Sequence, residues 1–362
     1  MGKKKKEENK NLPTSKCPDN TAFKQQRIPA WTPTLTPESV LSSFFLIGIF
    51  CLAVGISWIV ATTNVKEVWI TYSDNPDCSN CTKLRENSSN SEKPCSCFVS
   101  FSLGEKMQGD VFLYYGLSNF FQNHRRYVTS RYDAQLLGRN VTTKQNIEKN
   151  SYCAPFSAYN NGTPMAPCGA IANSLFNDTI MLIYYPDSRS IIQVPLLKTG
   201  NTWWSDKNVR FGNPKPKDDI VQAFAGSAKP PYWQKPAYAL DPLDPNNNGY
   251  VNDDLINWMR VAALPSFRKL YRRVSRVMVD SQDFSDGLPA GNYSFIIAYN
   301  FPVSKFGGKK HVILSTLSWC GGSNIFLGIA YTVTGAAIII TAFIMLAVHL
   351  KKRKPKKTFS LR

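Results

Sequence analysis

The stretch Val40-LSSFFLIGIFCLAVGISWIV-Ala61 holds no charged residue, and a second uncharged run extends from Val312 to Leu350. Each is long enough for an α-helix to cross a hydrocarbon core of about 30 Å, which takes roughly 20 residues. Between the two runs lies every Asn-x-Ser/Thr sequon of the chain: Asn80, Asn87, Asn140, Asn161, Asn177 and Asn292. The tails hold no sequon and are basic. This order predicts two membrane spans with both ends in the cytosol and one large domain on the other side. The expected divisions are a cytosolic tail at 1–39, a first span at 40–62, a glycosylated lumenal or extracellular domain at 63–324, a second span at 325–350, and a basic cytosolic tail at 351–362.

The formal net charge of +18 would suit a nucleic-acid partner if it were gathered on the folded domain. It is not. Residues 1–39 carry eight Lys/Arg against four acidic groups, and residues 351–362 carry seven against none. Basic residues beside a span hold it on the cytosolic side and attract anionic phospholipid at about 1 kcal/mol each. The expected partner of these tails is thus the membrane surface, and Lys3–Lys6 reads as part of a membrane tail and not as a nuclear signal. The first span begins behind a polar lead with Pro29, Pro33 and Pro37, too late for a cleaved signal peptide, and reads as a retained anchor. Trp31 suits the headgroup interface. The C-terminus shows neither a prenylation box nor an endoplasmic-reticulum retention tetrapeptide. Small residues at Gly48 and Gly55 on the first span, and at Gly328, Thr332 and Ala336 on the second, would let helix backbones approach closely.

Of nine cysteines, Cys17 lies in the first tail, Cys51 in the first span and Cys320 just before the second. The other six, Cys78, Cys81, Cys95, Cys97, Cys153 and Cys168, fall among the sequons. An even set in an oxidising compartment argues for three disulfides. A four-thiolate zinc site at Cys78-x-x-Cys81 with Cys95-x-Cys97 is the weaker reading, since lumenal thiols oxidise.

The middle of the chain reads mainly as β. Short β-branched and aromatic runs mark strands at Cys97–Leu103, Val111–Leu117, Thr179–Tyr185, Ile191–Leu197, Tyr293–Val303 and His311–Trp319. Their uneven spacing predicts an antiparallel sandwich with loop extensions. Two helices are expected: one capped by Ser118 and running to about Val128, the other capped by Asn252 with Leu255, Trp258, Met259, Ala262 and Ala263 on one face. The basic run Arg268, Lys269, Arg272, Arg273 and Arg276 reads as a solvated helix face, with docking against an acidic partner surface as the alternative.

Little here points to catalysis. The histidines His124, His311 and His349 stand far apart, and no zinc-protease, nucleophile-elbow, phosphate-loop or dinucleotide motif occurs. No catalytic residue, metal or cofactor is expected. Asp244-PNNNGY-Val251 fits the first eight positions of a calcium loop, but position twelve, which should be a bidentate glutamate, is Leu255.

The runs Pro18-DNTAFKQQ-Arg27, Tyr114-YGLSN-Phe120, Asn123-HRR-Tyr127, Pro167-CGAIA-Asn173, Trp203-WSDK-Asn208 and Leu327-GIA-Tyr331 together resemble the cell cycle control protein 50 family (also called ligand-effect modulator 3). They do so in order, from about Pro18 to the end of the second span. The resemblance implies an accessory β-subunit of type IV P-type ATPases, the phospholipid flippases, with no chemistry of its own. It also implies a catalytic partner chain that needs this subunit to leave the endoplasmic reticulum. The phosphorylated pump motif Asp-Lys-Thr-Gly-Thr is absent. The six cysteines match the family's disulfide cysteines. A nested arrangement, Cys78–Cys97 outside Cys81–Cys95, needs only a hairpin-like return, and the resemblance implies the same pairs with Cys153–Cys168 as the third. Asn177 matches a glycosylated position. In the tail, Pro18, Asp19, Asn20, Phe23 and Arg27 are the expected contacts to the partner. The leading alternative is a subunit of a two-span ion channel with a cysteine-bridged outer domain, and a lumenal enzyme anchored at both ends comes third.

Overall fold

The computed structural model describes residues 19–31, 35–90, 93–139, 151–187, 189–279 and 282–353. The chain divides into two compact units, one formed by the terminal segments and one by residues 57–328.

In the terminal unit, a helix spans Pro37–Thr63 and another spans Phe326–Arg353, both long and apolar enough to cross a bilayer. Proline suits the first helical turn because its missing N–H would be unsatisfied there anyway. The two helices touch through small residues. A Cβ added to Gly335 would stand 2.8 Å from the backbone nitrogen of Leu52, and one on Gly48 would stand 2.6 Å from Ile339 Cγ1. Phe45 and Phe343 meet edge to face at 5.2 Å. The buried small residues of the second helix are Gly328, Gly335 and Ala342, seven apart, with Thr332 and Ala336 only half-buried. Gly48 and Gly335 are thus points of close approach between the two helices, where a larger side chain would not fit.

The other unit is a β domain. Its strands are β1 (Glu67–Thr71), β2 (Ser96–Leu103), β3 (Val111–Leu117), β4 (Thr179–Tyr185), β5 (Ile192–Gln193), β6 (Leu196–Leu197), β7 (Phe267–Val274), β8 (Met278–Val279), β9 (Gln282–Asp283), β10 (Gly291–Ala298) and β11 (Lys310–Thr316). One antiparallel sheet has the order β1-β11-β3-β7-β6 and another the order β2-β10-β4-β5. Leu113, Tyr115, Val312 and Leu314 of the first sheet share one buried cluster with Val99, Leu182, Phe295 and Ile297 of the second. Alternation along each strand sends these side chains to one face. The antiparallel sandwich read from the sequence is the architecture found.

Three local readings change. The expected Ile191–Leu197 strand is two strands in different sheets, because Pro195 has no N–H to carry a ladder past it. Ser118 caps no helix. Its N–H donates to Lys309 O, Asn119 takes φ 58°, and the only helical turn nearby is Arg125–Val128. The basic run is strand β7 and not a helix, with a bulge at Tyr271: Leu113 pairs with Arg272 while Tyr114 pairs with Leu270. The extra residue turns both Tyr271 and Arg272 inward.

Candidate functional site

Three disulfides staple the β domain: Cys78–Cys97, Cys81–Cys95 and Cys153–Cys168, with Cα atoms 5.1, 5.6 and 5.7 Å apart. The first two tie the short helix Ser79–Glu86 and the turn before it to β2. On the same helix, Arg85 is buried and clamps three segments at once. It donates to the carbonyls of Tyr299 (2.8 Å), Asn90 (2.5 Å) and Lys93 (2.6 Å) and to Asn300 Oδ1 (3.1 Å). No sequence signal marked Arg85, since nothing local distinguishes a buried arginine from a solvated one.

A second buried cation sits between the sheets. Lys310 of β11 donates to Asp178 Oδ2 at 2.6 Å and to Phe301 O at 2.7 Å, beneath the ring of Tyr299. Asp178 also accepts from the Tyr72 hydroxyl (2.6 Å) and from the N–H groups of Asn300 (2.5 Å) and Phe301 (2.6 Å). Burial pushes the Lys310 ammonium down to about 8 against the opposing pull of Asp178. Burial and the same carboxylate push the Tyr72 phenol well up.

The third is Lys269 of β7. Its ammonium holds the carbonyls of Asn257, Trp258 and Arg260, the unpaired end of the helix Asp253–Met259. A cation at a helix C-terminus meets both its orphan carbonyls and the negative end of its dipole. Burial, with Arg260 nearby, lowers the Lys269 pKa to about 7. The other end of that helix is capped by Asn252, whose Oδ1 accepts from Leu255 N–H at 3.0 Å. Arg272 forks onto Asp254 with contacts of 2.5 and 2.9 Å. The basic run thus spends Lys269 and Arg272 inside the domain.

The loop resembling a calcium site is closed by its own amides. Asp244 Oδ1 accepts from Asn246 N–H, Asn248 Nδ2 donates to the carbonyls of Asp241 and Asp244, and Asn252 Nδ2 donates to Asn247 O. Oxygens that a cation would need are turned to caps and turns. Among the described residues, no group of His, Cys, Asp or Glu is arranged to hold a metal.

The expected contact residues of the first tail lie on one tight turn. Gln25 N–H donates to Thr21 O at 2.9 Å and Arg27 N–H to Ala22 O at 2.7 Å, while Lys24 pairs with Asp19. Asp19, Asn20 and Arg27 are exposed, and Phe23 is 77% exposed at its tip. Pro18 lies outside the described residues. The sequon asparagines Asn80, Asn87, Asn161 and Asn292 are exposed, Asn177 is half-buried, and Asn140 lies outside the described residues.

Among the described residues, these features place no nucleophile, base and orienting group together. They describe a braced domain carried between two membrane helices. The family model of the LEM3 (ligand-effect modulator 3) family / CDC50 family matches residues 58–355. The chain belongs to the CDC50/LEM3 family. Cell cycle control protein 50C of Bos taurus is 52% identical over 96% of this chain and 97% of its own length. Cell cycle control protein 50B of Homo sapiens is 45% identical, covering 92% and 94%. ALA-interacting subunit 3 of Arabidopsis thaliana is 36% identical, covering 93% and 88%. As in the reading of the sequence, this CDC50/LEM3 chain is a two-pass membrane protein with a disulfide-bonded antiparallel β domain between its helices.

Proposed function

We propose that this chain is the non-catalytic accessory β-subunit of a type IV P-type ATPase, required for the catalytic chain to fold, leave the endoplasmic reticulum and move aminophospholipid to the cytosolic leaflet. The observation that carries this reading is the family match, which runs without a break through the β domain and into both helices. A relative named as an interacting subunit supports it. In this reading residues 1–39 and 351–362 are cytosolic, 40–62 and 325–350 span the bilayer, and 63–324 form the glycosylated outer domain. The complex would work in the endoplasmic reticulum, Golgi, secretory vesicles or plasma membrane.

The physical rationale is grip on both sides of a bilayer. A partner held by the outer domain, two helices and a cytosolic tail gains avidity from linked contacts without any single strong site. A domain that must keep its shape while the pump moves benefits from internal braces such as Arg85, Lys269 and Lys310. Co-expression tests the reading: a type IV P-type ATPase should reach the cell surface and internalise fluorescent aminophospholipid only when this chain is present. Equal trafficking and uptake without it for every such ATPase would overturn it.

A further inference from the structure

We infer that the cleft beside Asn177 is the seat of the N-linked glycan its sequon specifies, so that the first N-acetylglucosamine units fold back onto the β domain. The inference rests on the lumenal placement proposed above and is independent of the ATPase partner.

Asn177 lines a cleft of about 550 Å³, within the ~300–1,000 Å³ range of small-molecule sites. Its side-chain Oδ1 is buried without a hydrogen-bond partner, whereas Nδ2, the atom that carries a glycan, is not buried in this way. That buried oxygen turns the side-chain amide so that Nδ2 is its open atom at the cleft. Thr179, the hydroxyl residue of the sequon, is exposed. The attachment point is stiff. Asn177 O accepts from Asn300 Nδ2 at 3.1 Å, and the next residue is the buried Asp178 with its four hydrogen bonds. A glycan would therefore leave the backbone in a fixed direction.

The lining chemistry suits a neutral, hydroxyl-rich ligand. Asp241 faces Lys198 at 3.5 Å and Asp254 is forked by Arg272, so two acidic groups at the cleft are matched, and the exposed Lys235 adds one ammonium donor to the lining. Gln193 and Gln234 add amides that both donate and accept. Tyr232 stands 70% exposed over the opening. Its neighbour Trp233 is buried and fixed by a 2.6 Å hydrogen bond from Nε1 to Ala172 O, which holds that wall in place. An aromatic face for sugar C–H groups, set among amides, is what a carbohydrate requires. The exposed sequon asparagines Asn80, Asn87, Asn161 and Asn292 do not line the cleft.

The test is site-resolved release of glycans by an amidase in heavy-oxygen water, on the full chain in detergent, native and denatured. The label marks each asparagine that carried a sugar. We expect Asn177 to be occupied and released about tenfold more slowly in the native than in the denatured chain, since the enzyme reaches only the opened fraction. Tyr232→Ala, or Leu243→Ser at a second exposed residue of the cleft lining should the first variant not fold, is expected to abolish that protection while leaving release at any other occupied sequon unchanged. Native release at the denatured rate, or protection that survives both substitutions, would overturn the seat. So would an unmodified Asn177 in a chain glycosylated elsewhere. A chain with no glycan at all would overturn the topology along with it.

Discussion

Lys310 and Asp178 meet 2.6 Å apart with both side chains fully buried. Lys310 opens β11 of one sheet, and Asp178 precedes β4 of the other, so the pair rivets the two layers of the sandwich. Removing one partner strands the other charge in a low-dielectric interior, at a cost of about 3–5 kcal/mol. Lys310→Met should therefore leave little folded protein, whereas Lys310→Met with Asp178→Asn should recover part of the loss. Thermal unfolding of the three chains in detergent checks this. A single variant that melts with the parent would show that the pair braces nothing.

Stability of the β domain should rise from about pH 6 to pH 9. Lys269 and Lys310 titrate near 7 and 8 when folded, against ~10.4 when unfolded. Over that window the unfolded chain binds more protons than the folded one, so raising pH favours folding, and the contribution is lost as pH falls through the folded values. Burial of His311 lowers its pKa as well and acts in the same direction on the acidic side. Melting temperature measured across the range should climb. A fall between pH 7 and 9 would contradict the burial of these lysines.

Those two lysines also mark where the sequence was hard to read. Strands β3 and β4 were legible to the residue, because their apolar runs are bounded by turn signals. Strand β7 was not, since Arg268, Lys269, Arg272 and Arg273 look like a solvated face unless their partners are known. Those partners lie outside the run: Glu67 of β1 for Arg268, Asn201 for Arg273, and, from the preceding helix and its end, Asp254 for Arg272 and the carbonyls of Asn257, Trp258 and Arg260 for Lys269. The short β1 was missed because it follows the membrane helix after only three residues. The helix expected from Ser118 failed for a tertiary reason: Phe120 N–H bonds Pro265 O, a contact 145 residues away in sequence. The family could be read from ordered motifs. The cleft at Asn177 could not, because its walls come from six separate segments.

Cys153→Ser or Cys168→Ser opens a 15-residue separation whose closure is worth about 3 kcal/mol. Both cysteines are buried beside Met165 in a small cluster apart from the main core. Either variant should be retained in the endoplasmic reticulum together with its partner, scored by the persistence of immature glycans. Normal maturation of both chains would contradict a bracing role for this bridge.

Phe23→Ala on the tip of the tail turn removes an exposed side chain that supports nothing within the described fold. We expect unchanged melting temperature and unchanged yield of the complex, with a several-fold change in lipid uptake per complex. Loss of assembly with the β domain intact would instead make the tail an anchor. Uptake identical to the parent would remove Phe23 from the partner surface.

Isolation of the tagged chain from cells in mild detergent, with mass spectrometry of whatever accompanies it, tests the β-subunit reading most directly. We expect a type IV P-type ATPase in one-to-one proportion. A homotrimer would instead favour the channel alternative, and either that result or the chain on its own would contradict the proposed function.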